Sequence, residues 1–311
     1  MSIPALLPFV LGHTDNLSAL PNQIGGYQII KIPVDGPDLR LSSAQRQAAH
    51  ERFPSSDEHI SPTRFARLLN LANGVAYGGG MGMPEWVMLD CALLPAFFAG
   101  FMGPSGRLSF SDQSLINEGL VRVEEERSER RVLVERELNV PLGSLIEEEW
   151  FPLAEFCAIP RLAPDELVGY SLYSLNRGFG GRAKAFGLWL LHHLGYRRQV
   201  GVAQWSNPAA VKAHLRFGPL ELLDPLTPSH TKAGETFIYR LTLPDRDTLE
   251  MRAVSTVMVG QGEGNVAYTN REWRSVYDHS WWLSKRSERR APLFLYDLRG
   301  RGDELEALVG E

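Results

Sequence analysis

Residues 165–218 read DELVGYSLYSLNRGFGGRAKAFGLWLLHHLGYRRQVGVAQWSNPAAVKAHLRFG, and their order decides the fold. An apolar strand over 166–174 runs into a Gly-rich turn that opens a helix. A second strand over 199–204 comes next, then a helix that starts at an Asn and stops at a Gly. In the first turn, Arg177-Gly178-Phe179-Gly180-Gly181-Arg182, small residues let the backbone come close to a polyphosphate. The spacing predicts a helix over about 183–194. Its first N–H groups and the positive end of its dipole point at that anion. Arg177 and Arg182 add fixed charge at the same place.

The second half lies at a fixed distance from the first. Ser206-Asn207-Pro208 caps the later helix, with Pro at its first position. Asn207 stands thirty residues after Arg177; counted from it, Ala210 falls at +3, His214 at +7, Arg216 at +9 and Gly218 at +11. This pair of motifs resembles the GNAT superfamily of N-acetyltransferases. That family has an Arg/Gln-x-x-Gly-x-Gly/Ala pyrophosphate loop and, at a similar spacing, Asn-x-x-Ala-x-x-x-Tyr-x-Lys-x-Gly-Phe. The matching positions are Arg177, Gly180, Asn207, Ala210, Arg216 (Lys in the family) and Gly218. Three positions depart: Arg182 closes the loop where the family has a small residue, His214 replaces the Tyr, and Pro219 replaces the Phe. The resemblance runs over roughly 120–243 and is strongest at 165–218.

The resemblance implies an α/β fold: a mixed, largely antiparallel twisted sheet of GNAT type flanked by helices, with N-terminal and C-terminal extensions. It implies acyl-CoA-dependent N-acyl transfer, with acetyl-CoA the default donor, another acyl-CoA equally compatible with the loop, and no metal. The acceptor is then a small-molecule or peptide amine that attacks the thioester directly. The pyrophosphate would lie on Arg177, Gly178, Gly180, Gly181, Arg182 and Ala183. The pantetheine would pair with the backbone of Leu172 and Tyr173 and pass near Asn207. His214 stands where the family has its general acid, and an imidazole with an ordinary pKa near 6.5 exchanges protons at neutrality. Glu166 and Glu155 are both candidates for the base, acting through a water. Two rivals stay open: a catalytically inactive CoA-binding or interaction module on the same fold, and a nucleic-acid or tRNA-modifying enzyme on that scaffold.

Length and composition bound these readings. The 311 residues are enough for two domains or for one core with elaborations. With 44% hydrophobic and 22% charged residues, the chain reads as a soluble globular protein. A net charge of −5 argues against a general nucleic-acid binder. The two cysteines, Cys91 and Cys157, lie in apolar contexts and read as buried thiols of a reducing compartment. The N-terminus lacks a basic n-region and carries Pro4 and Pro8, so it reads as a mature start. No apolar run approaches the roughly 18 residues of a membrane span, and the expected location is cytoplasmic. Nothing in the sequence speaks to oligomeric state.

Outward from the motif, the expected division is an N-terminal segment over 1–119, an acyl-CoA-binding domain over 120–245 and a C-terminal appendage over 246–311. Expected strands lie at 27–32, 150–159 and 236–243, with short helices at 43–52 and at 61–74. Residues 77–82, YGGGMG, look like a phosphate loop but lack the Lys-Ser/Thr of a Walker A, so hinge or loop is the better reading. An apolar hairpin is expected at 85–102; the charged run at 120–138 reads as a solvated helix or, by its alternating Val residues, as a hairpin, and Glu147-Glu148-Glu149 reads as solvated. Beyond 248, AVSTVMV is strand-like. Trp273, Tyr277 and Trp281 fall at i, i+4, i+8, as on one face of a helix. A stacking platform beside the basic SKRSERR run is the alternative.

Overall fold

The computed structural model describes residues 7–36, 39–40, 59–60, 62–77, 96–104, 150–175, 178–227, 236–255, 271–288 and 291–310. It is a mixed α/β protein whose strands pair mostly antiparallel and are flanked by helices. The chain divides into two compact units, Met1–Ile159 with Ser171–Leu190, and Pro160–Tyr170 with Leu191–Glu311.

The first unit holds β1 (Leu7–Gly12), helix α1 (Thr14–Ser18), the short strands β2 (Gln23–Ile24) and β3 (Tyr27–Gln28), and β4 (Ile30–Pro33). Two-residue strands β5 (Leu39–Arg40) and β6 (His59–Ile60) precede helix α2 (Pro62–Tyr77). Then come β7 (Phe97–Pro104) and β8 (Trp150–Pro160). β7 pairs antiparallel with both β8 and β1, and β1 pairs parallel with β4. The expected strand at 27–32 breaks at Ile29 into β3 and β4, which belong to different sheets. Helix α2 runs three residues past Gly74, because an interior Gly costs only about 1 kcal/mol against Ala and does not by itself stop a helix. Of the expected hairpin at 85–102, the second arm lies in β7. The first arm, the short helix at 43–52, residues 120–138 and the acidic run at 147–149 lie outside the described residues.

β9 (Glu166–Ser174) begins in the second unit and ends in the first, and helix α3 (Phe179–His193) follows it. Both match the expected elements, but the helix starts four residues earlier than the sequence suggests. Its N-terminal part fills the first unit's core. Phe186 lies against Phe101 of β7 at 5.8 Å between ring centroids, and Gly187 packs directly on Phe156 of β8. From α2, Phe65 meets Phe9 of β1 edge-on at 4.9 Å.

The second unit continues with β10 (Arg198–Gln204), helix α4 (Pro208–Leu215), β11 (Leu220–Thr227), β12 (Thr236–Thr242) and helix α5 (Arg246–Val254). It ends with β13 (Glu272–Ser275), helix α6 (His279–Glu288), β14 (Phe294–Arg299) and β15 (Glu306–Gly310). Its strands lie in the order β13-β15-β14-β11-β12-β10, followed by the start of β9. The segment beyond 246, expected as an appendage, therefore contributes strands to this unit, with β14 pairing to β11. The β11–β12 register shifts beside Pro225, which has no N–H for the ladder. Trp205, Phe237 and Trp282 pack together, at 4.0 Å and 5.3 Å from Trp205, and Trp205 and Trp282 each donate their indole N–H to a carbonyl.

Two expectations near the C-terminus are corrected. Ala253 and Val254 of the strand-like AVSTVMV lie in α5, because Asp245 caps that helix by accepting from the Thr248 N–H at 2.8 Å. Trp273, Tyr277 and Trp281 do not share a helix. Trp273 is in β13, Tyr277 is in the turn, and α6 starts only after Asp278, which accepts from the Trp281 N–H. Trp282, not Trp281, is the fully buried ring. Ser284–Glu288 of the basic run are helical.

Candidate functional site

In the first unit the chain passes from β9 into α3 through a turn that Gly178 makes with φ +91°, a conformation that side chains with a β-carbon rarely adopt. Arg177 lies outside the described residues. Gly180, Gly181, Arg182 and Ala183 form the first turn of α3 and not a loop before it. A β-carbon on Gly180 would meet the Ser174 Cβ at 3.3 Å, so this turn sits close on the end of β9. Arg182 directs its guanidinium over the rings of Phe101 (4.8 Å) and Phe179 (5.9 Å). Two residues on, Lys184 is fully buried, and desolvation pushes its ammonium well below the ordinary lysine range.

The backbone of β9 separates the two pantetheine candidates. Leu175 gives its N–H to the Leu153 carbonyl of β8. By strand alternation Tyr173 faces the same edge, and Leu172 faces the opposite one. The Tyr173 hydroxyl donates to the Pro152 carbonyl at 3.1 Å, and burial pushes that phenol well above its usual pKa. Leu172 meets a residue that no sequence motif marks. The Tyr77 hydroxyl accepts from the Leu172 N–H at 3.1 Å and donates to the Leu172 carbonyl at 2.9 Å. One helical turn earlier, Asn73 donates to the Ser171 hydroxyl at 2.8 Å, and Ser171 donates to Glu155 at 3.4 Å. Glu155, the candidate base on β8, is fully buried. Of the neighbours Tyr170 and Ser171, Ser171 is the buried one.

In the second unit the parallel pairing of β9 with β10 runs from Glu166↔Arg198 to Gly169↔Gly201 and stops there. The residues after it, Tyr170 and Val202, are both about half exposed. Tyr239 of β12 fills the space over Gly201, so this Gly is required by close approach. The Tyr239 hydroxyl accepts from Gln199 at 3.2 Å. Asn207 caps α4 as expected, accepting from the Ala210 N–H at 3.2 Å. His214 is in the last turn of α4, buried, with its ring 5.0 Å from that of Tyr239. Glu166, the other candidate base, is enclosed by guanidinium groups. Arg240 lies at 2.6 Å, Arg161 at 3.1 Å and Arg198 at 3.4 Å, and only 3% of its side chain is exposed. The chain thus brings Tyr77, Asn73, Ser171 and Glu155 together in one unit and His214, Tyr239 and Gln199 in the other.

No helix among the described residues is long and apolar enough to cross a membrane, and no group of three or more His, Cys, Asp or Glu among them could hold a metal ion. Cys157 is buried in β8.

No protein-family model and no curated protein matches the sequence. Among solved structures the chain is similar to GNAT acetyltransferases. One, assigned to the GNAT family from Desulfovibrio desulfuricans, is 17% identical over 30% of this chain and 64% of its own, with a TM-score of 0.27. Nourseothricin acetyltransferase is 14% identical over 30% of this chain and 59% of its own, also at 0.27. A chain of the NatC complex bound to Gag peptide and CoA is 9% identical over 60% of this chain and 96% of its own, at 0.37. The protein thus spans less than two thirds of the length of the first two.

Proposed function

We propose that the protein is an acyl-CoA-dependent N-acyltransferase, with acetyl-CoA the default donor and a small-molecule or peptide amine the acceptor. The observation that carries the reading is the passage from β9 into α3. A strand edge at Leu172, a left-handed Gly178 and a helix N-terminus with Gly180 and Gly181 in its first turn follow one another within a few residues. Exposed N–H groups at such an N-terminus suit a diphosphate, and backbone groups at a strand edge suit the amides of a pantetheine arm. Asn207 serves as cap and ligand neighbour in this reading, and 120–245 is the acyl-CoA-binding part of the chain.

The amine nitrogen attacks the thioester carbon, the C–N bond forms, and the C–S bond then breaks to release CoA thiolate. The amine's proton goes to Glu155 through a water, because Glu166 is already held by three arginines. The candidate for returning a proton to the sulfur is His214, by its position seven residues after Asn207. One observation favours a second reading, CoA binding without transfer: His214 is buried against Tyr239, where proton exchange with a ligand needs local movement.

The test is Gly180→Glu. A carboxylate in the first turn of α3 stands against the diphosphate and fills the space beside Ser174. The expected result is loss of CoA binding by calorimetry in a protein that still melts cooperatively. Unchanged affinity removes the cradle. CoA binding to wild type without thiol release over a panel of amines selects the second reading.

A further inference from the structure

We propose that Tyr77 is a gate on the acyl-pantetheine path, its hydroxyl holding the Leu172 backbone groups that an incoming acyl-CoA must take. The inference rests on the acyl-CoA reading above. A tyrosine hydroxyl has one proton to give and lone pairs to receive, and here both functions serve one residue. This is the pair of bonds that the adjoining strand of a sheet makes with a single strand residue, and two successive amides of a pantetheine arm, one accepting and one donating, can supply it. Leu172 faces the edge of β9 away from β8, and the ladder with β10 has already ended at Gly169. The tyrosine therefore caps backbone groups that regular pairing leaves over.

The neighbouring contacts show which part is fixed and which can move. Asn73 and Tyr77 stand four residues apart on α2, so they project to the same face. Asn73 is buried and tied to Ser171, which holds the helix to β9. Tyr77 is the last residue of the helix and keeps 42% of its surface exposed. Turning its side chain outward breaks two hydrogen bonds, and the ligand makes both again with Leu172. Desolvation holds the Tyr77 phenol above its ordinary pKa, and the nearby Glu155 charge acts in the same direction. The hydroxyl is thus a neutral donor and acceptor throughout the physiological range. A ligand that must displace it binds with an affinity reduced by the fraction of molecules in which the gate is open.

Tyr77→Phe keeps the ring and removes the hydroxyl. Calorimetric titration with CoA and with acetyl-CoA is expected to show roughly 3- to 30-fold tighter binding by the variant. Hydrogen exchange at the Leu172 amide is expected to be fast in the ligand-free variant and slow once CoA is added, whereas in wild type it is slow in both. Equal affinities overturn the gate and leave Tyr77 as a tie between α2 and β9. Weaker binding by the variant also overturns it, since the hydroxyl then belongs to the ligand's site. If neither protein binds CoA, the gate falls together with the acyl-CoA reading, which separates the two failures. Should Tyr77→Phe not fold, NMR of the wild-type Tyr77 ring during CoA titration decides. Ring signals that do not change on saturation overturn the proposal.

Discussion

Phe156 of β8 occupies the space that a β-carbon on Gly187 of α3 would need. The helix lies this close to the strand only because residue 187 has no side chain. Gly187→Ala gains about 1 kcal/mol of helix propensity, whereas overpacking a filled core costs about 1–3 kcal/mol. The ring is embedded, so overpacking prevails. Urea unfolding is expected to show a net loss of up to about 2 kcal/mol, and a stabilised variant would mean that the ring moves aside.

Glu166 is read as structural from its three guanidinium neighbours. Glu166→Gln keeps the shape and removes the charge, and charge-assisted hydrogen bonds contribute about 1.5–3 kcal/mol. A stability loss of that size is expected, with turnover per folded molecule unchanged. Normal stability with collapsed turnover would make Glu166 the base.

His214→Ala tests the acid. A thiolate leaves without much help, so the expected loss of turnover is on the order of 10²-fold, with CoA affinity nearly unchanged. His214→Tyr keeps a proton donor at this position and is expected to restore turnover. An Ala variant that turns over a surrogate amine like wild type from about pH 6 to 9 would leave His214 as the packing partner of Tyr239.

Lys184 carries a pH dependence whose sign follows from its depressed pKa. Between the lowered folded value and about 10.4, the value in the unfolded chain, the unfolded state binds more protons. Wild-type stability from this group therefore rises with pH through that window and is lowest below it. Lys184→Met removes the burden of a buried ammonium and is expected to be more stable than wild type at neutral pH. The gap should narrow as pH climbs towards 10, as followed by denaturant midpoints. A gap that stays constant would assign the effect to packing.

What the sequence determined by itself was local. The β9 boundaries, the cap at Asn207 and the order strand, turn, helix, strand, helix are legible because period, glycine and capping residues act within a few positions. The start of α3 is not legible, because Gly180 and Gly181 look like loop residues, although a helix's first turn tolerates glycine and packing against Ser174 calls for a small residue at 180. Tertiary structure alone decided the rest. Tyr77 meets Leu172 across 95 residues, and Glu166 is held by Arg240 across 74. Such contacts leave no periodic signature, because a hydroxyl or a guanidinium reaches its partner through the fold and not along the chain. For the same reason the separation of Leu172 from Tyr173 as ligand candidates needed the edge each faces, which depends on where β8 lies.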